Sequence, residues 1–97
     1  MSPDEPVSIA IEDALDLHSF LPADVPSVVA EYLDAALEKF QEVRLIHGRG
    51  IGVQREIVRA LLARRADIAD FFDAPPDRGG RGATIVVFRR PLRGPKV

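Results

Sequence analysis

Val43-Arg44-Leu45-Ile46-His47-Gly48-Arg49-Gly50-Ile51-Gly52 is the stretch whose reading decides the fold of this chain. Apolar Val43, Leu45 and Ile46 lead to a histidine, and glycines then take every second position from 48 to 52. Beyond Gly52 the apolar residues fall at Val53, Ile57, Val58, Leu61 and Leu62, a helical spacing. The stretch therefore reads as a buried strand, a tight glycine turn and the start of a helix. Glycines in such a turn admit positive φ and let a ligand approach the main chain closely. The unpaired N–H groups of the helix start point at the same spot and favour an anion. His47 and Arg49 beside that anion hole suggest that a phosphate is handled there, although a glycine-rich turn can also be a purely steric device. No Gly-Lys-Ser/Thr follows, and the glycine spacing differs from the dinucleotide fingerprint, which removes both of those nucleotide-binding readings.

Working outward, residues 1–7 read as a disordered acidic lead, and Ser8 to His18 as the first strand, interrupted by Glu12-Asp13-Ala14. In Leu15-Asp16-Leu17-His18 the period of two places both leucines on one face and Asp16 with His18 on the other. From about Ala23 to Phe40 the chain reads as an amphipathic helix along Val25, Val29, Leu33, Ala36, Leu37 and Phe40, with Pro26 tolerated in its first turn. Strand two is Gln41–His47, and the second helix runs from about Gly52 to Arg65. Ile68 to Ala74 reads as a short strand, Pro75 to Gly82 as a loop, and Ala83-Thr84-Ile85-Val86-Val87-Phe88 as a β-branched strand. Residues 91–97 form a basic tail that frays. The order is β-α-β-α-β-β in one α/β domain over residues 8–90. The first strand pair is parallel by the crossover rule, and the helices pack on one face of a small mixed four-stranded sheet. His18 and His47 then end neighbouring strands, at the edge where ligands of open α/β sheets collect and beyond the packed leucines and valines. Topology alone does not place the Gly79–Gly82 loop at that edge.

With 97 residues and no cysteine, the chain makes one domain without disulfides, thiolate zinc sites or cysteine nucleophiles. Neither a signal-peptide pattern nor a membrane-length apolar run occurs, so a cytoplasmic protein is expected. The net charge of −2 hides an asymmetry: residues 1–42 carry one basic and ten acidic side chains, residues 43–97 twelve basic and five acidic. A basic half that contains the glycine turn suggests a polyanionic partner.

Leu15-Asp16-Leu17-His18, His47-Gly48-Arg49-Gly50 and Gly79-Gly80-Arg81-Gly82-Ala83-Thr84 together resemble the three signature segments of the Smr (small MutS-related) domain, in the right order. The resemblance spans roughly residues 11–90. It implies a two-layer α/β sandwich like the C-terminal domain of a bacterial translation initiation factor. It also implies nucleic-acid binding and, in many members, endonuclease activity on RNA or on nicked or branched DNA. By position, Asp16 and His18 match the Asp-x-His segment, His47, Gly48 and Gly50 the His-Gly-x-Gly segment, and Gly79, Gly80 and Gly82 the glycine loop. Ser19 departs from the glycine that commonly follows the first histidine, which leaves that turn's backbone less free.

The expected catalytic residues are Asp16, His18 and His47, and the expected phosphate contacts are Gly48, Arg49, Gly50, Gly52, Arg55, Gly79, Gly80, Arg81 and Gly82. Two histidines can act as general base and general acid on a phosphodiester, since an unperturbed imidazole titrates near neutrality. If the attacking group is the 2′-hydroxyl of RNA, this route requires no metal. A weaker route has Asp16 and a histidine help hold Mg²⁺ or Mn²⁺ to activate water. A nucleic-acid-binding module that does not cut, or a binder of a small phosphorylated ligand, are the alternative readings.

Overall fold

The computed structural model describes residues 11–48, 50 and 52–89. The expected lead at 1–7, the first residues of the expected strand, Arg49 and the basic tail lie outside the described residues. The element order is β1 (Ala14–Asp16), α1 (Val25–Ala36), β2 (Glu42–Ile46), α2 (Val53–Arg64), β3 (Ile68–Asp73) and β4 (Ala83–Phe88). The four strands form one sheet in the order β1-β2-β4-β3. The β1–β2 pair is parallel, while β2–β4 and β3–β4 are antiparallel.

Both helices cover one face of this sheet. Val25, Val29, Leu33 and Ala36 of α1 and Val58 and Leu62 of α2 share a core with Leu17, Val43, Leu45, Val86 and Phe88. The i, i+4, i+8 spacing on α1 and the i, i+2 spacing on β2 place those side chains on the inward faces. The other face carries a smaller cluster of Ala74, Ala83 and Ile85, joined by Ile46 and Val87. Glu42 and Arg44 share this helix-free side of β2, and the loop after β3 folds back to meet them. Arg44 donates to the Arg78 carbonyl at 2.9 Å, and Arg78 lies 3.7 Å from Glu42.

Beyond shifts of one or two residues at element ends, three differences from the sequence reading stand out. Strand β1 is short, Ala14–Asp16, flanked by the bond from the Arg44 amide to the Asp13 carbonyl at 2.9 Å, and the Glu12 carbonyl before it accepts the Tyr32 hydroxyl at 2.6 Å. Helix α1 ends at Ala36, although Leu37 and Phe40 still pack on the core; the Ala36 carbonyl takes the amides of both Lys39 and Phe40, tightening the last turn. The loop from Pro75 to Gly82 is not irregular throughout: it holds two short 3-10 turns, Pro76–Arg78 and Gly80–Gly82.

Candidate functional site

The parallel register pairs Asp16 with Ile46, so the chain leaves β1 and β2 side by side at their carboxyl ends. One more ladder bond, from the Leu17 amide to the Ile46 carbonyl at 2.8 Å, holds the exits together. Leu17 is fully buried and acts as a peg between Asp16 and His18. The two polar residues therefore stay on the surface, where the Asp16 carboxylate accepts both the His18 amide at 3.0 Å and His18 Nδ1 at 2.7 Å. A carboxylate can only accept, so Nδ1 carries the proton and Nε2 of a neutral His18 offers its lone pair. The His18 side chain is 73% exposed. The bond from the His18 amide, and then that from its ring, lower the Asp16 pKa further below the usual carboxylate value.

His47 is placed differently. It is 6% exposed, which corrects the expectation that both histidines lie beyond the packed core. Its Nδ1 lies 3.1 Å from the Gly48 carbonyl and its Nε2 lies 2.9 Å from the Thr84 hydroxyl. A carbonyl only accepts, so Nδ1 donates, and in the neutral ring Nε2 accepts from Thr84. Burial lowers the pKa of His47; its bond to Gly48 partly opposes the shift, and nearby Arg55 and Arg59 add to it. Both ring nitrogens are thus engaged in holding the turn onto β4.

The glycines divide by function. Gly48 (φ 82°) and Gly52 (φ 86°) are left-handed, and Gly52 caps the start of α2. At Gly50 an added Cβ would meet nothing within 4 Å. The structure also settles where the second glycine loop goes. The Gly82 carbonyl accepts the amides of His47 at 3.0 Å and Gly48 at 2.8 Å, which stitches this loop to the first turn. Gly79 (φ 115°) is required sterically, because a Cβ would come within 2.9 Å of the Ala83 Cβ.

Two adjoining hollows follow from this stitching. The smaller, about 260 Å³, is lined by both histidines, Gly48 and the first turn of α2. The larger, about 680 Å³, runs to Pro76, Gly80 and Arg81. Gly50, Gly52 and Arg55 line both, so the hollows form one groove across the start of α2. Among the described expected residues, His18, His47, Gly48, Gly50, Gly52, Arg55, Gly80 and Arg81 line the groove. Asp16 reaches it through His18, and Gly79 and Gly82 shape its wall. Arg55 is not a free cation: Asp73 Oδ1 accepts from Arg55 at 2.8 Å and from Arg59 at 2.6 Å. Those bonds and charges, that of Arg55 first, lower the Asp73 pKa. Thr84 and Asp73 are the functional neighbours that sequence reading missed. A threonine inside a buried apolar strand was the available signal for the first.

Among the described residues no three His, Asp or Glu side chains stand close enough to hold a metal ion. The smaller hollow has no carboxylate in its lining and the larger has Glu56, while Asp16 Oδ1 accepts twice from His18. This donor set does not fit a metal held by protein groups alone.

The family model described as the Smr domain matches residues 15–89. The chain belongs to the Smr domain family. It is 35% identical over 80 residues to an Endonuclease MutS2 of Latilactobacillus sakei, matching 81% of this chain and 10% of that protein. It is 42% identical over 69 residues to the Endonuclease MutS2 of Thermus thermophilus, matching 63% of this chain and 9% of that protein. The Smr chain thus spans about a tenth of the length of these relatives. Its fold superposes on the crystal structure of the Smr domain of Thermus thermophilus MutS2 with a TM-score of 0.76 and 34% identity, covering 81% of this chain and all of that one. YdaL, a stand-alone small MutS-related protein from Escherichia coli, superposes with a TM-score of 0.76 and 26% identity, over 80% of this chain and 65% of that one. No helix among the described residues of this Smr domain is long and apolar enough to cross a membrane.

Proposed function

We propose that this Smr domain binds nucleic acid along the groove over the start of α2 and cleaves a phosphodiester bond there, as the name of its MutS2 relatives suggests. The observation that carries the reading is the Asp16–His18 pair at the mouth of a groove lined by glycines, a helix start and Arg55 and Arg81. Asp16 fixes the tautomer, and His18 Nε2 is the general base. With RNA it takes the proton of a 2′-hydroxyl; the new bond forms between that oxygen and phosphorus, the bond to the 5′ oxygen breaks, and that oxygen is protonated from solvent. With structured DNA the same nitrogen takes the proton of an attacking water; its oxygen bonds to phosphorus, the bond from phosphorus to one deoxyribose oxygen breaks, and that oxygen is protonated from solvent.

His47 then positions the turn as a neutral imidazole, in place of the second acid/base role expected of it, because both its nitrogens are engaged. The same observation favours the second reading, a nucleic-acid-binding module that does not cut. Labelled single-stranded RNA, nicked DNA and branched DNA, incubated with and without chelator and assayed for binding and cleavage together, separate the two. Cleavage that survives chelator supports the histidine route, and binding without cleavage leaves the module.

A further inference from the structure

We infer that Phe20 is a stacking subsite for an unpaired nucleobase next to the phosphate in the groove, so that the substrate class is single-stranded nucleic acid or an unpaired segment. The inference rests on the nucleic-acid reading above and narrows it. Among the described residues four large apolar side chains are exposed: Phe20 (37%), Leu21 (68%), Val53 (44%) and Phe72. Isolated exposed apolar residues are ordinary, but of these four Val53 lines the smaller hollow and Phe20 is bonded through its carbonyl to Gln54, which lines it too. Phe20 follows His18 by two residues, a span of at most about 7 Å along the chain. Its amide donates to the Leu17 carbonyl at 3.1 Å, which folds the segment back into a tight turn. Its carbonyl accepts from Gln54 Nε2 at 2.9 Å, tying it to the first turn of α2 beside Val53 and the glycines.

The occupant follows from the surroundings. An exposed ring alone has no preferred ligand, but Phe20 is tied through Gln54 to a groove that carries Arg55, Arg81 and the start of a helix. A ligand filling both needs an anionic group and a flat apolar group on adjacent units, which is the constitution of a nucleotide strand. Single-stranded nucleic acids are held by this pairing of cationic groove and aromatic platform. In a duplex the base faces are stacked on one another and cannot reach Phe20.

The test uses the whole chain, a single-stranded oligonucleotide and the same strand annealed to its complement. Phe20→Ala should weaken binding of the single strand by about 5- to 150-fold, the contribution of one stacked base, and leave duplex binding unchanged. Phe20→Leu, which keeps apolar bulk without the ring, should lose as much. The chain has no tryptophan, so Phe20→Trp supplies a unique reporter whose fluorescence should be quenched by the single strand and not by the duplex. Equal losses on both substrates, or full affinity in Phe20→Leu, would overturn the stacking subsite while the binding function stands. A wild-type chain that binds neither oligonucleotide would remove both readings together.

Discussion

Thr84 lies beneath His47, its hydroxyl 2.9 Å from Nε2, on a strand position that is fully buried. The bond ties the carboxyl end of β2 to the start of β4, where the Gly82 carbonyl also accepts the His47 amide. Thr84→Val keeps the shape and β-branching but leaves a buried imidazole nitrogen without a donor. Such an orphan costs about 1–3 kcal/mol. Thermal or urea unfolding should show that loss, whereas an unchanged midpoint would mean that the bond contributes nothing net.

The same pair sets a pH dependence. The unfolded chain protonates His47 near 6.5, and the folded chain holds it neutral to a lower pH because burial lowers its pKa. Between those values the unfolded state binds more protons, so stability falls as pH drops from 6.5 toward the folded pKa. Asp16, Asp67 and Asp73, all lowered from 3.8, contribute with the same sign further into acid. His47→Ala should flatten the decline in melting temperature just below pH 6.5 relative to wild type. A parallel decline in both proteins would assign that proton uptake elsewhere.

Much of this was legible because it depends on local period. The switch from strand to helix spacing across Val43–Leu62 places β2, the turn and α2, and the β-branched run places β4 at Ala83–Phe88. The Gly79–Gly82 loop could not be placed, because its docking rests on carbonyl-to-amide bonds between segments more than thirty residues apart. The partners of His47 and Arg55 were hidden for a related reason. Thr84 and Asp73 face each other across β3 and β4, and only that register, with Ile46 opposite Ala83, brings them under the turn. Burial of His47 follows from its continuing the inward alternation of Val43 and Leu45, a pattern that the strand-end argument passed over.

His18 and Asp16 carry the chemistry at the surface, so their replacement should separate activity from folding. His18→Ala should reduce cleavage by about 10²- to 10⁴-fold, the contribution of a positioned base, with stability within about 0.5 kcal/mol of wild type. Asp16→Asn should lower cleavage less, because the amide can still orient the ring with a weaker bond. Single-turnover cleavage of one labelled strand is the measurement. Full activity in His18→Ala would move the reaction away from this pair.

Arg81 and Arg55 both line the groove but differ in what else they hold. Arg81→Ala should lower the slope of log affinity against log salt by about 0.7–0.9 for each phosphate that the side chain neutralises, with no change in melting temperature. Arg55→Ala should lower the slope and also the melting temperature, since it leaves Asp73 with Arg59 as its remaining partner. Salt titrations paired with melts distinguish the two. A slope unchanged in both variants would place the polyanion on another face.

Gly48 and Gly50 offer the sharpest contrast between fold and function. A β-branched residue at Gly48 must adopt φ near 82°, which L-residues with branched side chains resist, at a cost of about 1–3 kcal/mol. At Gly50 open space surrounds the position of the missing Cβ. That space is the groove itself, because Gly50 lines both hollows. Gly48→Val should therefore lower the melting temperature by several degrees and weaken binding as a consequence of the distorted turn. Gly50→Val should melt close to wild type and still lose nucleic-acid binding, because its methyl groups occupy the path of the phosphate. If Gly50→Val instead binds as tightly as wild type, the strand does not cross the start of α2 and the groove is not its route.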